Sequence, residues 1–144
     1  MTDNLLSNIS YDELVVGQRN GPYPFRVSAE LASNLAGPIG VPVPVKWTPP
    51  AVFPTVFLMA LRRSMGGIPS GSILAKQQME LLRPLAVESE ARVVTWIGEK
   101  YLRRERAFVV FEFEVRDDQD EVVLTGRKVI VWPNGPRGDL THDN

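Results

Sequence analysis

The stretch that decides the fold is residues 48–67, TPPAVFPTVFLMALRRSMGG. From Val56 to Leu61 every side chain is apolar. A helix that is apolar all round belongs in an interior, wrapped by other structure. Thr48 is placed to cap its N-terminus with the hydroxyl, and Pro49 and Pro50 suit a helix entry, where a missing N–H is harmless. Gly66 and Gly67 supply a left-handed stop, with Arg62 and Arg63 in the last turn facing the negative end of the helix dipole. Pro54 either kinks the first turn or marks the true start. Counted from Pro54 to Met65, the helix is about 18 Å long at 1.5 Å per residue. That is too short to span a bilayer, and two arginines close it, so a buried core helix is expected and no membrane partner.

Strands follow it. Residues 107–116, AFVVFEFEVR, alternate most clearly: Val109, Phe111, Phe113 and Val115 share one face, and Phe108, Val110, Glu112 and Glu114 the other. Asp117 to Asp120 reads as a hairpin turn. Residues 121–132, EVVLTGRKVIVW, are the partner strand, with Gly126 a bulge or a close contact. Residues 91–97 read as a strand and 98–106, GEKYLRRER, as a charged connection. Residues 73–85, ILAKQQMELLRPL, have helix propensity, but the late Pro84 and the strands that follow favour a long strand.

Ahead of the central helix, residues 9–18 read as a short lead-in with Asp12 near a helical turn, and residues 17–21 as a turn. Residues 22–27, PYPFRV, are extended, and two prolines place them at a sheet edge or a strand start. Ser28 caps a short helix over residues 29–36, ended by Gly37-Pro38. Residues 37–47, GPIGVPVPVKW, are apolar and punctuated by proline and glycine, which predicts an irregular, partly buried segment. Helices set against an antiparallel sheet make an α+β fold. The predicted organisation is one domain over residues 1–133, lightly docked or mobile over its first ten residues, and a polar, disordered tail over 134–144.

Composition sets limits on function. The chain has 144 residues, 44% apolar and 23% charged, with a net charge of −1. That balance gives no electrostatic reason to expect nucleic acid as a partner. Cysteine is absent and there is one histidine, His142, in the tail, so neither thiolate chemistry nor a metal site is expected. The N-terminus has no basic n-region and no long apolar run, and a cytoplasmic protein is expected.

Four stretches together resemble a known family. YDELVVGQ (11–18) is similar to its lead-in. AELASNLAG (29–37), opened by Ser28, is similar to its first capped helix, and TPPAVFPTVFLMAL (48–61) to the entry of its central helix. LAKQQMELLRPLAV (74–87) with FVVFEFEVRDDQDEVVLTG (108–126) resembles its Gln-bearing strand and closing hairpin. The resemblance is to MaoC-like dehydratases, which include (R)-specific enoyl-CoA hydratases. It implies a single hotdog domain: an antiparallel sheet of five or six strands curled around one central helix. It also implies a dimer, homomeric or heteromeric.

The departures matter as much. Family members that hydrate enoyl thioesters carry an Asp and a His about five residues apart between the two helices, where they hold a water and move its proton. Here that window reads AGPIGVPVPVKWTPP and contains no Asp, Glu or His. A second histidine common in the family would fall near Ala75, and the carboxylate that hotdog thioesterases often place on the central helix is missing from residues 49–65. The resemblance therefore implies a subunit without its own catalytic residues, shaping an acyl-thioester pocket beside a catalytic hotdog partner. No cofactor is implied beyond the coenzyme A or acyl carrier of the substrate itself. A different class stays open: a stand-alone protein that binds or cyclises a hydrophobic small molecule by proximity.

The substrate-binding candidates are Trp47 and Thr48, which border the missing pair, Gln77 on the strand after the helix, and Arg63 and Lys76 near the expected channel mouth. Each has a plainer reading: core tryptophan, helix cap, cross-strand hydrogen bond, dipole partner, solvated charge. Lys100, Arg103, Arg104 and Arg106 could meet phosphates, but Glu99 and Glu105 beside them favour a solvated connection. Glu112 and Glu114 are read as solvent-facing.

Overall fold

A computed structural model describes residues 9–38 and 40–133. The tail, His142 and the first eight residues, for which loose docking is expected, lie outside the described residues. The elements in chain order are β1 (Asn20–Arg26), α1 (Ala29–Ala36), α2 (Phe53–Met65), β2 (Ile73–Leu81), β3 (Glu90–Arg103), β4 (Arg106–Asp117) and β5 (Val122–Trp132). The strands form one antiparallel sheet in the order β1-β3-β4-β5-β2, so β1 and β2 are its edges. This is an α+β domain in which α2 lies against one face of the sheet.

The inward phase of each strand is apolar. Val93, Val109, Phe111, Phe113, Val115, Leu124, Ile130 and Trp132 are buried on the helix face. Phe53, Val56, Phe57, Ala60 and Leu61 of α2 meet them. The Phe57 ring lies 4.8 Å from Phe113 and meets Phe111 edge-on at 6.0 Å. Each such aromatic burial contributes about 2–3 kcal/mol. Gly126 stands opposite Phe113 in register, and a Cβ there would run into the Phe113 ring. Gly126 is therefore a close contact, with no bulge at that position.

Several expectations are corrected. The helix is not apolar all round in effect: Leu58 is 46% exposed and Thr55 is exposed, so one face only is buried in the chain. Thr48 does not cap it. A 3-10 turn over Pro50–Val52 comes first, Val52 is the N-cap, and no side chain caps the end. Pro54 falls in the first turn, where its missing N–H has no intrahelical partner to lose. The stop is as expected, with Gly66 at φ 84°.

The segment read as a charged connection over 98–106 is mostly strand. β3 runs to Arg103 and turns through Arg104 and Glu105, at φ 52° and 65°, into Arg106. Two positive-φ residues are what a tight two-residue hairpin turn requires. The segment over 37–47, expected to be partly buried, is mostly exposed among its described residues, and the strand expected over 73–85 ends at Leu81, while the following expectations hold. Ser28 Oγ accepts the Leu31 N–H at 3.0 Å, β1 is an edge strand, and residues 73–81 are strand rather than helix. The lead-in forms a 3-10 turn over Tyr11–Glu13, closed by reciprocal Ser10 and Glu13 contacts. Among the described residues no helix is long and apolar enough to cross a membrane.

Candidate functional site

The irregular segment before α2 is fastened to the chain that follows β2. Trp47 bridges Ala86, the Thr48 N–H donates to Leu85 O at 2.7 Å, and the Val87 N–H donates to Lys46 O at 3.0 Å. This holds Trp47 and Thr48 at the N-terminal approach to α2. Trp47 stays 47% exposed with Lys46 Nζ 5.2 Å from its ring centroid. Thr48 is buried, and its Oγ1 has no hydrogen-bond partner among the described residues. A buried hydroxyl left without a partner destabilises by about 1–3 kcal/mol.

A second group gathers on the helix face beside β2. Lys128 of β5 lies in register with Gln77 of β2 on one side and Phe111 of β4 on the other. Its inward neighbours in phase, Gly126 and Ile130, are buried, and Lys128 itself is 5% exposed. Its Nζ lies 4.5 Å from the Phe57 ring centroid. It takes part in none of the six ion pairs found among the described residues. Burial pushes the pKa of its ammonium below the ordinary lysine value. Sequence reasoning missed Lys128. The signal was its phase: position 128 falls in step with Leu124, Gly126, Ile130 and Trp132, where an apolar side chain is the rule.

Among the described residues the face of β2 around Gln77 has little cover, because the main contacts of α2 are with β1, β3 and β4. Leu74, Gln77 and Leu81 share the phase of the buried β5 residues yet stay exposed. The result is an open apolar strip with Gln77 on its rim and the Lys128 amine beneath.

The five sequence candidates do not converge. Trp47 and Thr48 stand at the start of α2, and Gln77 stands on the strip. Lys76 pairs in register with Val129, which puts it on the opposite face of the sheet. Arg63 is exposed in the last turn of α2, at the other end of the helix from Trp47.

At that far end lies a cavity of about 180 Å³, lined by Glu13, Gln18, Asn20, Ser64, Thr95 and Trp96 among others. Glu13 is a carboxylate that the sequence reading did not place in any cavity. Its Oε1 accepts the Ser10 N–H at 2.8 Å, and Thr95 Oγ1 donates to Glu112 O at 2.9 Å, so these polar groups have structural duties. The charged connection is likewise tied down: Lys100 Nζ donates to Tyr11 O at 2.8 Å, and Glu99 pairs with Arg127 at 3.5 Å. Glu114 pairs with Arg116 at 3.0 Å on the outer face. Among the described residues no group of three His, Asp or Glu side chains is placed to hold a metal ion.

A sheet of this order wrapped on one long helix defines the hotdog fold, and the solved structures that resemble the chain bear this out. A MaoC-like dehydratase from Rhodospirillum rubrum superposes with a TM-score of 0.67 at 19% identity, over 90% of this chain and 100% of that one. The (R)-hydratase from A. caviae involved in PHA biosynthesis gives 0.62 at 17% identity, over 83% and 98%. The HadBC (3R)-hydroxyacyl-ACP dehydratase complex from Mycobacterium tuberculosis gives 0.62 at 15% identity, over 81% and 96%. No family profile matches the sequence, and no curated protein matches it.

Proposed function

We propose that the chain is the non-catalytic subunit of a heteromeric hotdog hydratase or dehydratase that acts on acyl thioesters. The observation that carries the reading is the stretch between α1 and the start of α2. Residues 37–49 hold no Asp, Glu or His, at the place where the resemblance leads one to expect a general acid–base pair. The likeness of the fold to a chain of a dehydratase complex supports a place for this chain in an assembly. The missing side chains, more than the likeness of the fold, point to this role.

In this reading the partner supplies the carboxylate and imidazole that hold the water and transfer its proton. This chain supplies the acyl surface: Trp47 and the strip beside Gln77. The carrier, coenzyme A or an acyl carrier protein, stays outside. The β2 edge, with Ile73 and Leu82 exposed, suits pairing with the second chain.

The test is co-expression with the adjacent genes, followed by native mass spectrometry and a crotonyl-CoA hydration assay of what copurifies. The expected result is a complex with a second hotdog chain that hydrates the substrate. A homomeric chain carrying a tightly held apolar small molecule, inactive with every partner, would favour the stand-alone binding protein instead.

A further inference from the structure

Lys128 has no task in the reading above, and its surroundings single it out. A lysine residue 5% exposed, with its Nζ 4.5 Å from a phenyl ring and in no ion pair among the described residues, is an incomplete arrangement. Buried charges in proteins are paired, coordinate a metal, or lose the charge. Among the described residues none supplies the counter-ion. Residues 40–65, which carry the approach and α2, contain no Asp or Glu. The β2 strand has one acidic residue, Glu80, which pairs in register with Thr125 on the outer face, as Lys76 does with Val129.

We infer that Lys128 is an anion anchor in the acyl site, and that the preferred ligand is an acyl chain bearing its own carboxylate. The methylenes of such a chain would lie along Leu74, Met79 and Leu81, with the carboxylate turned in to the ammonium and Gln77 offering an amide N–H beside it. The Phe57 face already stabilises the cation by about 1–2 kcal/mol in a desolvated setting. A carboxylate completes the pair without displacing the ring. This deepens the acyl-pocket reading and rests on it.

The probes are octanoate and octanol, equal in chain length and different in charge, titrated into the isolated full-length chain near neutral pH and followed by protein-observed NMR. Wild type is expected to bind octanoate at least tenfold more tightly than octanol, with the largest shifts at Gln77 and Lys128. Lys128→Met is expected to bind the two equally and to keep its affinity for octanol, and Lys128→Arg to restore a preference for octanoate. Equal binding of the two probes by wild type overturns the anchor. So does a preference that persists in Lys128→Met.

The two readings fail separately. If octanol and crotonyl-CoA bind and octanoate has no advantage, the anchor alone is wrong; if none of the three binds, the acyl pocket is wrong as well. Zero-length carbodiimide cross-linking of Lys128 to an acidic residue of a copurified partner, with octanoate then excluded, would assign the counter-ion to protein and overturn the ligand.

Discussion

Replacing Lys128 by Met should make the isolated chain more stable, which is unusual for a buried position. Lys128 is buried, makes no hydrogen bond or ion pair among the described residues, and has one favourable polar neighbour, the Phe57 ring. Met keeps most of the stem volume. It loses the cation–π contact, about 1–2 kcal/mol, and escapes the desolvation that pushes the ammonium pKa down. The net expectation is a gain of up to about 1 kcal/mol, or roughly 4 °C in Tm for a chain of this size.

The pH dependence separates this cause from generic repacking. The Lys128 pKa is lowered in the folded state, so above that value the unfolded chain binds the extra proton and stability rises with pH. The rise begins at the lowered folded value and ends near the ordinary lysine value of about 10.4. Tyr11 acts in the opposite sense. Burial, then Asp12, raises its pKa, and its contribution is lost only above the ordinary tyrosine value of about 10. Urea denaturation from about pH 7 to about pH 9.5 therefore isolates the lysine. The gap between Lys128→Met and wild type should be largest at the lower end and shrink as pH rises. A variant less stable than wild type, with a gap that does not change with pH, would refute the reasoning.

Three further outcomes follow from single features. Gly126→Ala should destabilise by about 1–3 kcal/mol in urea, because the new methyl displaces the Phe113 ring from its place against Phe57. Arg104→Asn with Glu105→Gly should stabilise by about 1 kcal/mol, seen as a higher denaturation midpoint at unchanged slope, because both positions need positive φ. Thr48→Val should raise stability by about 1 kcal/mol by removing a partnerless buried hydroxyl.

The fold was legible where periodicity and breakers agreed. The alternation of Val109, Phe111, Phe113 and Val115, the Gly66 stop and the Ser28 cap each carry a local physical cause, and each is present. The long β3–β4 hairpin was missed at its tip because Arg104 and Glu105 carry no glycine or asparagine signal, and neighbouring charges made the strand end resemble a loop. The Thr48 cap failed because proline at 49 and 50 starts a 3-10 turn that shifts the helix entry to Val52. Site residues were harder. Gln77 and Lys76 are adjacent in sequence but fall on opposite faces of β2, which only the register with β5 decides. Lys128 was hidden because a charge in an inward phase reads as an outward residue until the sheet is seen.

The central claim is that this chain offers an acyl surface and no acid–base pair of its own. Its most direct test is crotonyl-CoA turnover by the purified chain alone, in a sample shown by calorimetry to bind the thioester. The account predicts binding without hydration, and hydration once the catalytic partner is added. Sustained hydration by the lone chain would contradict it.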